Sequence, residues 1–142
     1  MDMSTTGAIG LIKKSISFPD ETRTFPNGKV EVVHLGDHCA ALVTLRPGWR
    51  WSRDVRPIAQ TETCLTRHLQ YVLSGRLMVQ MEDNTLTELS PGDFAYIPSG
   101  HDAWVLGEES FVAVDLMGMS DYAGSAEESS YGSEPDEIVG FD

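Results

Sequence analysis

The sequence predicts an all-β domain on three observations. It has eight short runs rich in β-branched and aromatic residues, turn signals between most of them, and no long stretch with apolar side chains at i, i+3, i+4 and i+7. The first run, residues 29–35, alternates around Val30 and Val32 and stops at Gly36-Asp37. Residues 40–45 follow and end at Pro47-Gly48. Runs 69–73 and 77–82 flank Ser74-Gly75, and run 85–89 lies between Asp83-Asn84 and Ser90-Pro91-Gly92-Asp93. Run 94–97 closes on Pro98-Ser99-Gly100, run 103–106 on Gly107-Glu108, and run 111–116 completes the set. Closely spaced short strands of this kind limit their exposed edges by forming a sandwich, a barrel or a double-sheet jelly roll.

Either side of this region the composition changes. Residues 1–27 mix Ser, Thr and Gly with Pro19 and Pro26 and read as an arm leading into a domain at 28–118; residues 119–142 are Gly/Ser-rich and acidic and read as a flexible tail. The chain has 142 residues, with 22 Asp plus Glu against 10 Lys plus Arg, for a net charge of -12. Seven of the acids (Asp121, Glu127, Glu128, Glu134, Asp136, Glu137 and Asp142) fall in the tail, so the first 120 residues carry only about -5. With 41% hydrophobic residues, the length suffices for one domain with a sizeable core.

The densest basic stretch, Arg46 to Arg56, holds four arginines broken up by two Trp and one Asp, which argues against nucleic acid as a partner. It reads better as a subunit interface or surface. No apolar run reaches the roughly 20 residues of a membrane span, and no secretory pattern opens the chain, so a cytoplasmic location is expected. In a reducing compartment Cys39 and Cys64 read as a buried thiol and a possible ligand, not as a disulfide.

Chemistry-bearing residues concentrate between Glu62 and His101. Glu62, Cys64 and His68 share parity, so in an extended stretch all three project from one face; a turn after Cys64 would leave adjoining strands to bring them together. His101 follows the Pro98-Ser99-Gly100 turn. One thiol, two imidazoles and a carboxylate make a ligand set suited to zinc or non-haem iron. Cys64, His68 and His101 are the first choices; Glu62 is a fourth ligand, a partner of an imidazole, or a general base. Asp102 is a second candidate base, and Gln70, Thr66 and Trp104 are candidate pocket residues. His34, His38 and Cys39 lie close in sequence, but the Gly36-Asp37 turn separates the two imidazoles and nothing else marks a second site.

Residues 44–116 resemble the β-barrel of the cupin superfamily. Gly92, five residues and Pro98-Ser99-Gly100 match the opening of the second cupin motif, and Tyr71-Val72-Leu73-Ser74-Gly75-Arg76-Leu77 resembles the hairpin that ends the first. Counting back from Gly75 puts His68 at the usual Glu position and Cys64 and Glu62 at the two usual His positions. In the second motif the usual His falls on Ala103, with His101 two residues earlier and, if extended, on the same face. The resemblance therefore implies a jelly-roll barrel with substituted but metal-capable ligand positions.

It also implies a scaffold on which isomerase, lyase, cyclase and oxygenase reactions on small organic molecules occur, and a homodimer, which the apolar alternation on both faces of residues 69–73 also favours. Three functions follow as alternatives: a metal-dependent enzyme acting on a small organic molecule, a non-catalytic ligand- or metal-sensing module with a closed coordination sphere, and a metal-free interaction protein.

Overall fold

The computed structural model describes residues 10–119. Two antiparallel sheets face one another. The larger, six-stranded, is ordered β1-β2-β3-β9-β4-β7, and the smaller, three-stranded, is ordered β6-β5-β8. In chain order the strands are β1 (Glu21–Phe25), β2 (Gly28–Leu35), β3 (His38–Leu45), β4 (His68–Ser74), β5 (Arg76–Met81), β6 (Leu86–Leu89), β7 (Phe94–Ile97), β8 (His101–Leu106) and β9 (Phe111–Asp115). Two single-turn helices, α1 (Trp51–Asp54) and α2 (Arg56–Ala59), lie between β3 and β4. This is the all-β jelly roll that the sequence predicts.

Sheet pairing starts earlier than residue 28. β1, inside the segment read as an arm, pairs along its whole length with β2, from Glu21 opposite Val32 to Phe25 opposite Gly28. Its three Thr and Phe residues suit an edge strand. At the other end Met119, placed by the sequence at the head of the tail, is buried in the core. The rest of the tail lies outside the described residues.

Alternation decides what each strand puts inside. β8 buries His101, Ala103 and Val105, and β9 buries Phe111, Ala113 and Asp115; Val30, Val32 and Val43 fill the same interior from β2 and β3. β4 turns His68, Gln70 and Val72 inward and leaves Leu69 and Leu73 exposed. With Leu116 and with Phe94 and Tyr96 of β7, these form an apolar outer face at one edge of the larger sheet; Phe94 is 79% exposed and its ring packs on Tyr71.

The Arg46–Arg56 stretch departs from the surface or interface reading. Trp49 and Trp51 are buried in the core, and the arginines fan outward around them. Asp54 holds the turn together: its carboxylate accepts from the Arg50 backbone N–H at 3.0 Å and from the Arg53 guanidinium at 2.9 Å. Burial of two large aromatic rings outweighs the preference of the surrounding arginines for solvent.

Candidate metal centre

The two sheets bring Cys64, His68 and His101 together, with their potential ligand atoms all within 4.8 Å of one another. His68 opens β4 in the larger sheet, opposite Ile97 of β7, and His101 opens β8 in the smaller one, opposite Met81 of β5. Cys64 precedes β4 in a loop and is tied to His101 by an isolated bridge: its N–H donates to the His101 carbonyl at 2.8 Å, and its carbonyl accepts from the Gly100 N–H at 2.8 Å. Gly100 adopts φ +94°, a left-handed conformation that favours glycine, and a Cβ there would press on the Glu82 carboxylate at 3.1 Å. The turn therefore needs glycine to swing His101 inward.

Both imidazoles are oriented from behind. His68 Nδ1–H donates to Asp115 Oδ2 at 2.8 Å, and His101 Nδ1–H donates to the Pro98 carbonyl at 2.8 Å. Each neutral ring therefore keeps its lone pair on Nε2, the atom left to bind a metal. Cys64 Sγ lies 3.8 Å from His68 Nε2, and the two rings meet edge to face with centroids 5.2 Å apart. Bond lengths of about 2.0–2.3 Å to a tetrahedral ion put neighbouring ligand atoms about 3.3–3.7 Å apart, so the cluster is within an ångström or so of coordinating geometry. The donor set and its spacing fit a transition metal.

Electrostatics favour the ligating form of the thiol. Burial pushes the Cys64 thiol up, but the His101 and His68 rings beside it outweigh that and hold it down at about 6. Burial likewise pushes His68 down, and the Asp115 carboxylate, with Cys64 behind it, overcomes this and raises it to about 10. In the metal-free protein the cluster is therefore a buried thiolate against an imidazolium held by a carboxylate.

The other sequence candidates sit elsewhere, with the exception of Gln70. Gln70 lines the cavity beside the cluster and donates from Nε2 to Asp115 Oδ2 at 2.9 Å. Glu62 does not join the cluster: the chain between 62 and 68 is not a strand, its parity is lost, and the side chain is 89% exposed and paired with Arg56 at 3.0 Å. Asp102 faces the other side of β8, where it accepts from the Ser52 N–H at 3.1 Å and lies 3.4 Å from the Arg50 guanidinium; it is placed to fix α1, not to act on the cluster. Trp104 shares that outer parity and lies under the Arg50 guanidinium, 4.1 Å from the ring centroid, so the cavity is lined instead by Trp49 and Trp51. Thr66 approaches only through its backbone, with its carbonyl 4.0 Å from Cys64 Sγ. Among the described residues no second metal-capable cluster forms; His34 pairs with Glu21 at 2.8 Å. Among the described residues the two cysteines, Cys39 and Cys64, form no disulfide.

Asp115 is the residue the sequence reading missed. It is 1% exposed, directly opposite Gln70 in the β4–β9 ladder, and it accepts from His68, Gln70 and the Met117 N–H. Its signal was an acid in register with Phe111 and Ala113 on the inward stripe of a strand.

The sheet order, the site between two facing sheets and the paired hairpins can be compared with known proteins. No family model matches the sequence, and no curated protein matches it. Solved structures do. An oxalate decarboxylase variant from B. subtilis matches with a TM-score of 0.55 and 20% identity over 79% of this chain and 31% of that one. A protein of unknown function from Rhizobium leguminosarum matches with a TM-score of 0.52 and 21% identity over 77% of this chain and 97% of that one. The chain has the cupin fold. KdgF from Halomonas sp. is a further match, with a TM-score of 0.47 and 23% identity over 64% of this chain and 77% of that one. Within this cupin barrel His101 and Ala103 lie on one inward face of β8, while Glu62, which the motif counting set at a ligand position, lies outside the cluster. No helix among the described residues is long and apolar enough to cross a membrane.

Proposed function

We propose that this cupin holds a divalent transition metal, zinc or iron, on Cys64, His68 and His101 and uses it to bind and transform a small organic molecule inside the barrel. The observation that carries the reading is the convergence of three buried ligand atoms whose two imidazoles are fixed in one tautomer by Asp115 and the Pro98 carbonyl. A thiolate with two imidazoles favours zinc or iron over magnesium or calcium. With Glu62 turned out to Arg56, three protein ligands leave a coordination position for water or a ligand, the pattern of catalytic and not structural sites. A cavity opens beside that position, lined by the two imidazoles, Gln70 and apolar side chains. A metal bound there supplies a Lewis acid that polarises a carbonyl or makes a bound water more acidic. The chain's own part is to hold both imidazoles by Nδ1, to keep Cys64 as thiolate, and to exclude bulk water with Trp49, Trp51 and Met119.

Metal analysis of the full chain purified without added metal, followed by cobalt(II) loading, tests this. About one equivalent of metal and a thiolate-to-cobalt charge-transfer band are expected, both lost in Cys64→Ser and His68→Ala and both kept in Glu62→Gln. Undiminished metal in the first two variants would remove the reading.

A further inference from the structure

Two buried polar atoms of residues that line the cavity have no hydrogen-bond partner among the described residues: Trp49 Nε1 and Gln70 Oε1. The first can only donate and the second can only accept. The amide's orientation follows from its neighbour. Gln70 Nε2 donates to Asp115 Oδ2, and reversing the amide would set Oε1 against that carboxylate oxygen, so the acceptor end is the one left over. Trp49 is fixed by its backbone, which donates to the Arg46 carbonyl and accepts from the Val105 N–H, each at 3.0 Å. A buried donor and acceptor left unmade cost folding free energy, and a bound polar group relieves both.

Among the described residues the remaining lining is apolar apart from the two imidazoles, and no Lys, Arg, Asp or Glu belongs to it. A divalent ion is balanced by the Cys64 thiolate and by the Asp115 carboxylate behind His68. A charged ligand would therefore bring its own charge uncompensated into an apolar space. The cavity is small: about 30 Å³ measured to the centre of a water-sized sphere, where about 10–15 Å³ holds one water.

We infer that the cavity takes a small uncharged molecule that presents an N–H or O–H to Gln70 Oε1 and an oxygen to Trp49 Nε1 on a short apolar body, the chemistry of a primary amide or a short alcohol. This rests on the metal-centre reading above, because the charge balance includes the ion.

The probes are acetamide, acetate and acetamidinium, nearly isosteric and differing in charge, added to the zinc-loaded full chain. The indole N–H resonance of Trp49, assigned by its loss in Trp49→Phe, is followed by NMR, and zinc is measured in the same samples. Acetamide is expected to shift that resonance saturably while the two ions do not. Trp49→Phe and Gln70→Met are each expected to weaken acetamide binding, read by saturation transfer from the protein, by about tenfold, the worth of one buried hydrogen bond. If Gln70→Met fails to fold, Trp49→Phe carries the comparison. Binding of acetate or acetamidinium as tight as that of acetamide overturns the inference, as does unchanged affinity in the folded variants. Bound zinc with no acetamide binding, the two atoms being served by a water molecule, overturns this inference alone; failure to take up zinc overturns the metal reading with it.

Discussion

Replacing Asp115 with Asn isolates the residue that holds the site from behind. Asp115 Oδ2 accepts from His68 Nδ1 at 2.8 Å and Gln70 Nε2 at 2.9 Å, while Oδ1 accepts from the Met117 N–H at 2.9 Å and lies 3.4 Å from the Leu69 nitrogen. Asn keeps the shape but turns one of those acceptors into an NH2 group. At the Oδ2 end the NH2 group faces two buried N–H groups, those of His68 and Gln70, at about 1–3 kcal/mol each; at the Oδ1 end it faces the part-buried N–H groups of Met117 and Leu69. The lost partner of a buried charged His68 falls in the same range, about 3–5 kcal/mol. Urea unfolding of the metal-free protein should therefore show Asp115→Asn destabilised by about 3–5 kcal/mol near pH 6.

The pH dependence has a defined sign. His68 is raised from 6.5 to about 10, so its ion pair contributes fully below pH 6.5 and is lost as pH rises through about 10. The gap between the two proteins should accordingly narrow toward pH 10, and zinc affinity should fall about 10–100-fold in the variant. A gap under about 1 kcal/mol at pH 6, or one that stays flat to pH 10, would refute the account of how His68 is held.

Two further outcomes are expected. Cys64 is lowered from 9.0 to about 6, so its contribution to stability is complete above pH 9 and is lost as pH falls through about 6; thiolate ultraviolet absorbance of the metal-free Cys39→Ser protein should titrate with a midpoint near 6, and a midpoint near 9 would contradict the electrostatics of the cluster. The outer apolar face of β4, β7 and Leu116 is proposed to pair with a second copy of the chain, so light scattering should give a dimer mass, reduced to a monomer by Phe94→Glu; a monomeric parent protein would end that proposal.

Most strands were legible because a jelly roll writes itself as period-two alternation punctuated by Gly and Pro. The same alternation sets His101 with Ala103 inside β8, and it leaves Asp102 and Trp104, expected as a base and a pocket residue, on the strand's other face. It even marked Asp115, whose acidic side chain falls in step with Phe111 and Ala113. What parity could not carry was any segment that leaves the extended conformation. Glu62 lost its shared face with Cys64 because the chain turns there, and the Arg-rich stretch hid two core tryptophans because single-turn helices are too short to show a helical period.

The sequence by itself determined the fold class and the residue types able to bind a metal, since these depend on local spacing and side-chain chemistry. Only the tertiary structure decided that Cys64, His68 and His101 meet while Glu62 does not, that Asp115 and the Pro98 carbonyl set both tautomers, and that Trp49 and Gln70 border the same cavity. Those facts depend on which strands pair and how the two sheets face each other; His68 and Asp115, on neighbouring strands of one sheet, are 47 positions apart, a distance over which local periodicity holds no information.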